Sequence, residues 1–173
     1  VALGNYQLAW LLLNIAAMPK TGDNVLVHAA AGGVGSALVQ MACAQGMNVC
    51  GVAGSEVKAR YVATLGADAV IDRSQESISE RVMQHTDGAG VKFIYDAVGG
   101  KDFLLNFDRL TPLGILVMFG YIAGWPDPAI LDSMRERFGA SLGFRLFSIH
   151  VLDDMLELRR RAMEEAIKVM ASG

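Results

Sequence analysis

A glycine-rich turn between an apolar strand and an amphipathic helix is the segment of this sequence best suited to holding a ligand. Aligned to the G-x-G-x-x-G pattern, its positions are Ala30, Gly32 and Gly35, with alanine in place of the first glycine. Such small residues permit a tight exit from the strand, a close approach of backbone to a pyrophosphate, and close packing of helix on strand. The amides of Gly33 and Val34 would open the helix unpaired, so they can stabilise a diphosphate without a basic residue.

The residues after the second predicted strand indicate which dinucleotide would fit. NAD enzymes usually place a carboxylate at that strand end to bind the ribose hydroxyls, whereas here the residues are small and uncharged. Ser55, Lys58 and Arg73 are spaced to meet a 2′-phosphate instead. Each has an ordinary alternative, since Ser55 can cap a helix and the two cations can be surface charges. Glu56 could bind a ribose, as in NAD enzymes, if the end of the strand were shifted slightly. Together these residues favour NADP(H) over NAD.

Short apolar runs alternate with segments of helical spacing along the chain, a pattern typical of βαβ units and a parallel sheet. Because crossovers between parallel strands are right-handed, we predict an α/β Rossmann fold, a doubly wound six-stranded parallel sheet in three α/β/α layers. The predicted strands are Asn24–Ala30, Asn48–Ala53, Ala69–Asp72, Val91–Ala97, Gly114–Phe119 and Ala140–Phe147. The predicted helices are Tyr6–Met18, 34–42, Glu56–Leu65, Glu76–His85, Lys101–Leu110, Ala129–Phe138 and Leu152–Met170.

Composition narrows the class of protein. A chain of 173 residues that is 53% hydrophobic has room for one well-packed domain. A net charge of −3 with interspersed basic residues argues against nucleic-acid binding. The longest apolar run, Leu8–Met18, is too short to cross a bilayer, and no export signal follows Val1, so we expect a cytoplasmic protein without a membrane segment. Cys43 and Cys50 lack the spacing of a metal or redox motif, so we predict reduced thiols and no metal site.

Several longer motifs resemble one superfamily across nearly the whole chain. They are 22–35, Leu65–Asp68, Tyr95–Gly100 and Phe119-Gly120. In these segments the sequence resembles the medium-chain dehydrogenase/reductase superfamily, and within it the zinc-independent, zeta-crystallin-like quinone oxidoreductases and enoyl reductases. The resemblance implies NADPH-dependent reduction of a quinone or an activated carbon–carbon double bond, a small-molecule substrate. It also implies that residues 1–173 are an excised NADP(H)-binding domain, lacking the preceding catalytic domain and the returning C-terminal segment, and inactive alone.

The resemblance also implies contacts at the far side of the cofactor site. Val98 and Gly99 would lie against the central ribose region, and Phe119, Gly120 and Tyr121 would approach the nicotinamide. These positions follow predicted strands, where open α/β sheets bind their ligands. The catalytic residues are not identified by the sequence.

Other residues bear on the substrate and on assembly. The resemblance places Leu8 where the family often has threonine beside the cofactor, which leaves the substrate open. It implies a homodimer through the last strand, Leu142–Phe147, which would be an unpaired edge in a monomer; sedimentation of a monomer alone would contradict this. Asp96 is expected to be a structural carboxylate bonded to backbone, and His28 a core imidazole bonded to backbone.

Two other functions fit a glycine turn in a Rossmann-like sheet. An S-adenosylmethionine-dependent methyltransferase is one alternative, although that class normally has an acidic ribose ligand after the second strand. A non-enzymatic module that binds NADPH as a sensor or structural ligand is the other. Hydride chemistry needs few protein groups, so the lack of a visible nucleophile–base pair in the sequence does not separate this module from an oxidoreductase.

Overall fold

The centre of the molecule is a parallel sheet of six strands in a computed structural model that describes residues 2–172. Every strand pairs in parallel with its neighbours, and the sheet order is β3-β2-β1-β4-β5-β6. This confirms the predicted Rossmann fold. The strands are β1 Asn24–Val27, β2 Asn48–Ala53, β3 Ala69–Asp72, β4 Val91–Asp96, β5 Leu110–Met118 and β6 Gly143–Leu146.

Helices cover both faces of the sheet and divide the core in two. Successive residues of a strand point to opposite faces, so Val25 and Val27 enter one core while Leu26 enters the other. One face carries α1 Ala2–Leu11, α2 Gly33–Ala44, α3 Glu56–Thr64 and α7 Leu156–Ser172. The other carries α4 Ile78–His85, α5 Asn106–Arg109 and α6 Ile130–Glu136. Because both faces are covered, the strands are apolar along most of their length.

Several predicted boundaries were wrong where the backbone leaves regular geometry. The first strand ends at Val27 rather than Ala30, because Ala29 adopts a left-handed conformation with φ 51°. The predicted helix over 101–110 is a 3₁₀ turn, Phe103–Leu105, followed by the single turn of α5. The fifth strand begins earlier than predicted, at Leu110, with a register shift against β4.

The first predicted helix also differs from expectation. It begins at Ala2, and its second part, Leu12–Ala17, winds as a wider π-helix that ends at Met18 with φ 57°. Arg145 of β6 donates to the carbonyl oxygens of Ile15 and Ala16 at 3.0 and 2.6 Å. These bonds satisfy carbonyl groups that a helix end leaves without partners.

The sequence also predicts reduced thiols and the absence of a membrane segment. Cys43 and Cys50 are free cysteines. Burial raises the pKa of the Cys50 thiol to about 12 and also raises that of Cys43, so both thiols are protonated at neutral pH. Within residues 2–172, none of the helices combines the length and the apolar character required to traverse a bilayer.

Candidate functional site

The turn between β1 and α2 presents unpaired amides to the surface. Ala29 turns the chain, and the amide of Gly32 donates to its carbonyl oxygen at 2.8 Å. Gly32 is then the N-cap of α2, with no side chain capping it. Ala30 is fully buried, whereas Gly33 is exposed and Val34 half-buried, at the first turn of the helix. First-turn amides have no partner within a helix, so this end attracts an anion.

The turn has no room for larger residues at its glycines. A Cβ at Gly35 would lie 2.2 Å from the carbonyl oxygen of Ala29, and one at Gly32 would lie 3.1 Å from the same atom. A Cβ at Gly33 would lie 2.4 Å from Nδ2 of Asn5, which α1 places over the turn. The glycines therefore allow a close approach of backbone, as the motif predicts.

A large cavity of 690 Å³ opens beside this turn, at the carboxyl ends of β1, β2 and β4. We call it the larger cavity. Its volume is within the range of about 300–1,000 Å³ that small-molecule sites occupy. Five residues predicted to contact a cofactor line it together: Gly32, Lys58, Arg73, Val98 and Gly99.

Two cations stand on one wall of the larger cavity. Arg73 follows β3, and its guanidinium packs against Gly54 so closely that a Cβ there would lie 3.6 Å from Nε and Nη2. Lys58 reaches the same cavity from α3. An anionic group at this wall would meet both charges.

The neighbouring polar residues at the end of β2 are turned to other partners. Ser55 caps α3, and its Oγ accepts from the amide of Lys58 at 3.5 Å, which is the ordinary alternative for this residue. Glu56 forms an exposed ion pair with Arg60 at 3.1 Å and is not among the residues lining the larger cavity. The described wall therefore presents cations rather than a carboxylate at the end of β2.

Asp96 fixes the loop that follows β4. Its Oδ1 accepts from the amides of Val98 and Gly99 at 2.5 and 3.0 Å. These bonds agree with the expected structural carboxylate. Its other oxygen accepts from Nδ2 of Asn106 at 2.8 Å. Asp96 thus holds Val98 and Gly99 at the cavity wall and links them to α5.

Asn106 joins His28 and Arg109 to the same network. Oδ1 of Asn106 lies 2.9 Å from Nε2 of His28 and 2.6 Å from Nη1 of Arg109. His28 was predicted to bond to backbone, and this was wrong, because the side chain of Asn106 is its partner. Neither Asn106 nor Arg109 was predicted from the sequence as a site residue. The available signal was their spacing, because Asn106 and Arg109 are three residues apart among apolar neighbours and so lie on one face of a helix.

Burial keeps His28 neutral. Removal from water lowers the pKa of His28 below its ordinary value, Asp96 opposes this, and the charge of Arg109 adds to it. Burial likewise lowers the pKa of Arg109, which keeps its charge because guanidinium groups do not deprotonate in proteins.

A smaller cavity of 240 Å³ lies at the carboxyl ends of β5 and β6. Phe119, Gly120 and Tyr121, predicted to approach the nicotinamide, all line it. Tyr121 stacks on Trp125 with ring centroids 4.9 Å apart and an interplanar angle of 13°. Trp125 also lines the smaller cavity, and the remaining lining residues are Met118, Leu146, Phe147 and Ser148.

Three further expectations concern residues outside the cavities. Leu8 is half-buried and packs on the core face that holds α1 and α2. The strand β6 is at the edge of the sheet, with Arg145 and Leu146 exposed, and its pairing in a homodimer stays a prediction. Residues 2–172 contain no cluster of three or more histidine, cysteine or acidic residues that could hold a metal ion.

Comparison with known proteins gives a family match over most of the chain. The model of the zinc-binding dehydrogenase family matches residues 33–171. A quinone oxidoreductase of Pseudomonas aeruginosa is 41% identical over 105 residues, which cover 61% of this chain and 32% of that protein. A 2-haloacrylate reductase of a Burkholderia species is 37% identical over 120 residues, covering 69% of this chain and 36% of that protein.

A solved structure matches nearly the whole chain. The crystal structure of Escherichia coli quinone oxidoreductase complexed with NADPH has a TM-score of 0.91 and 30% sequence identity, and the match covers 98% of this chain and 51% of that chain. The chain therefore spans about half of that protein and about a third of the two relatives above.

The close contact at Gly35 predicts a selective loss of stability. Gly35→Ala would force the carbonyl of Ala29 and α2 apart, so we expect the free energy of unfolding to fall by about 3 kcal/mol in urea denaturation. Gly4→Ala is the matched control, because a Cβ at this α1 position meets nothing within 4 Å. It should leave stability unchanged or raise it by up to about 1 kcal/mol. Equal stability of the two variants would contradict the close approach.

The lowered pKa of His28 predicts a dependence of stability on pH. Below its ordinary pKa of about 6.5, the unfolded chain takes up a proton at His28 while the native state resists it. The contribution of His28 to the free energy of unfolding is thus complete above that pH and is lost as the pH falls. We expect the difference in unfolding free energy between wild type and His28→Gln to shrink from about pH 7 to pH 5. A difference that is constant with pH would show that the pKa of His28 is not lowered.

Proposed function

This chain belongs to the zinc-binding dehydrogenase family, in the quinone oxidoreductase and enoyl reductase branch of the medium-chain dehydrogenase/reductase superfamily, and we propose that it is the NADP(H)-binding domain of an oxidoreductase. We propose further that the whole protein transfers hydride to a quinone or an activated carbon–carbon double bond. The observation that carries this is the glycine turn of 29–35, whose open amides adjoin a cavity walled by two cations.

The site fits the cofactor by its shape and charge. Gly32 and Gly33 are exposed at the turn, and α2 begins there with unpaired amides. A pyrophosphate would be held by the amides of Gly33 and Val34. Strand order then puts the adenosine half toward β2 and β3, in the larger cavity, and the nicotinamide half toward β5, at the smaller cavity.

The wall beyond β2 supports NADP(H) in preference to NAD. Lys58 and Arg73 line the cavity where a 2′-phosphate would lie, and Ser55 caps the helix that carries Lys58. Glu56, the residue that could have bound a ribose, is paired with Arg60 instead. Val98 and Gly99 would meet the ribose region from the opposite wall.

The bound cofactor would supply the hydride, and this chain's residues would position its nicotinamide and one face of the acceptor. Reduction of a quinone to the hydroquinone would take this hydride together with one proton, which solvent can supply. Phe119, Gly120 and Tyr121 would lie at the nicotinamide, while the stacked rings of Tyr121 and Trp125 offer a flat surface to an acceptor ring.

The smaller cavity supports an uncharged ring as acceptor. No charged side chain is among its lining residues within the described chain, so these residues alone provide nothing to neutralise a carboxylate. A quinone is flat, uncharged and able to stack, whereas an acrylate carries a negative charge. The oxidoreductase family match also supports this function over the methyltransferase alternative.

Cofactor discrimination tests the proposed binding. We expect the chain to bind NADPH at least about tenfold more tightly than NADH in fluorescence titrations, because only NADPH meets both cations with its 2′-phosphate. The double variant Lys58→Ala and Arg73→Ala should lose most of this preference through weaker NADPH binding, with NADH affinity unchanged. The double variant Arg135→Ala and Arg160→Ala also removes two cations, from exposed positions outside both cavities, and should keep the preference. A preference that survives the double variant of Lys58 and Arg73 would remove these two cations from the site.

Turnover of the natural protein that carries this chain with its catalytic domain tests the acceptor. We expect NADPH oxidation with a naphthoquinone in excess of that with acrylate, and negligible turnover by the 173-residue chain alone. Trp125→Ala should lower kcat/KM for the quinone about three- to tenfold by removing the stacking surface. Phe138→Ala is the control, because Phe138 is an even more exposed aromatic residue and lies outside both cavities. An unchanged kcat/KM in Trp125→Ala would exclude the aromatic pair from the acceptor site.

A further inference from the structure

The floor of the larger cavity is built from polar side chains of three different segments. His28 directly follows β1, and Asn106 and Arg109 belong to α5. All three residues line the cavity. Each is at least nine-tenths buried, with exposed fractions of 7%, 1% and 4%. Polar groups buried this deeply are normally hydrogen-bonded throughout, because an unmet donor or acceptor is destabilising.

The bond from Asn106 to Asp96 fixes the proton on His28. Nδ2 of Asn106 must face the carboxylate of Asp96, which can only accept, so Oδ1 faces the other way. Oδ1 therefore accepts from Nη1 of Arg109 and from Nε2 of His28. The proton of His28 is on Nε2, and Nδ1 of the neutral ring carries a lone pair.

Two polar atoms on this floor have no hydrogen-bond partner among residues 2–172. Arg109 uses Nε on Ser79 at 3.0 Å and Nη1 on Asn106, and Nη2 remains as a donor. His28 uses Nε2 on Asn106, and Nδ1 remains as an acceptor. A donor and an acceptor thus remain on two residues that share Asn106 as their partner, in the lining of a cavity large enough for a ligand.

Apolar side chains also line this cavity, together with the charged side chains of Lys101 and Asp102. Val52, Ile78 and Phe103 line the same cavity. A flat heterocycle could pack its faces on such a lining while its edge meets the polar floor. Adenine has the matching edge, since its ring nitrogen N7 accepts and its adjacent 6-amino group donates.

Resting on the proposed NADP(H) binding, we propose that Arg109 and His28 recognise the adenine base of the cofactor, with Asn106 as the positioning residue between them. Nη2 of Arg109 donates to the ring nitrogen, and Nδ1 of His28 accepts from the 6-amino group. Lys58 and Arg73 at the cavity wall would hold the adjoining 2′-phosphate. The base is thereby selected by its hydrogen-bonding edge, separately from the phosphates.

The test compares two cofactors that differ only at the base. NADPH and its hypoxanthine analogue, reduced nicotinamide hypoxanthine dinucleotide phosphate, are titrated into the unaltered chain by fluorescence. The analogue has a carbonyl oxygen in place of the amino group, so it faces Nδ1 of His28 with a second acceptor. We expect it to bind at least about tenfold more weakly than NADPH. Equal affinity overturns the proposal without requiring any variant to fold.

Variants of Arg109 and His28 then test whether these side chains discriminate between the two bases. Arg109→Met keeps the side-chain length without a donor and should lower NADPH affinity about tenfold. His28→Gln should lose most of the discrimination between the two bases. Arg137→Met is the control, because Arg137 lies outside the cavity and pairs with Asp108, the neighbour of Arg109 in α5. Arg137→Met should leave both affinities unchanged.

The outcomes separate this inference from the proposed function. If the unaltered chain binds NADPH and discriminates between the bases, and Arg109→Met weakens binding while Arg137→Met does not, the proposal holds. If it binds NADPH but the two bases equally, the adenine assignment fails and the cofactor assignment stands. If it binds neither cofactor, both fail.

Discussion

The structure depends on one close approach, between the start of α2 and the carbonyl group of Ala29. A side chain at Gly35 would overlap that carbonyl group, so only glycine lets the helix begin directly against the strand, and a Cβ at Gly32 would be in tight contact with the same group. The unpaired amides of α2 consequently open at the edge of the sheet where β1, β2 and β4 end. The larger cavity and its cations are arranged around this point, and so are the proposed contacts with the phosphates and the adenine base.

The two cavities differ in chemistry in the way a dinucleotide requires. The larger one carries Lys58, Arg73 and the buried Arg109, which suit phosphates and a hydrogen-bonding base. The smaller one is apolar and aromatic, with Tyr121 stacked on Trp125, which suits a nicotinamide and an uncharged acceptor. The strand order separates them, because the larger cavity lies at the ends of β1, β2 and β4 while the smaller one lies at β5 and β6, toward one edge of the sheet. A single cofactor lying across the sheet would connect the two.

Asn106 gives the site its rigidity. It bridges the end of β1, through His28, to the loop after β4, through Asp96, and it also holds Arg109. In a buried network of this kind the loss of one member leaves the others without partners, so the parts are stabilised together. The loop that carries Val98 and Gly99 is held in place by this network rather than by secondary structure.

The sequence by itself determined the fold and the glycine turn, because strand alternation, helical spacing and turn residues act over a few neighbouring positions. The strands Asn48–Ala53 and Ala69–Asp72 were predicted to the residue. Only the tertiary structure decided the partner of His28, which is Asn106, 78 residues away. No local pattern encodes such a pair, since it arises when packing brings two elements together. The stacking of Tyr121 on Trp125 was likewise decided by the path of the loop after β5, which local propensity does not specify.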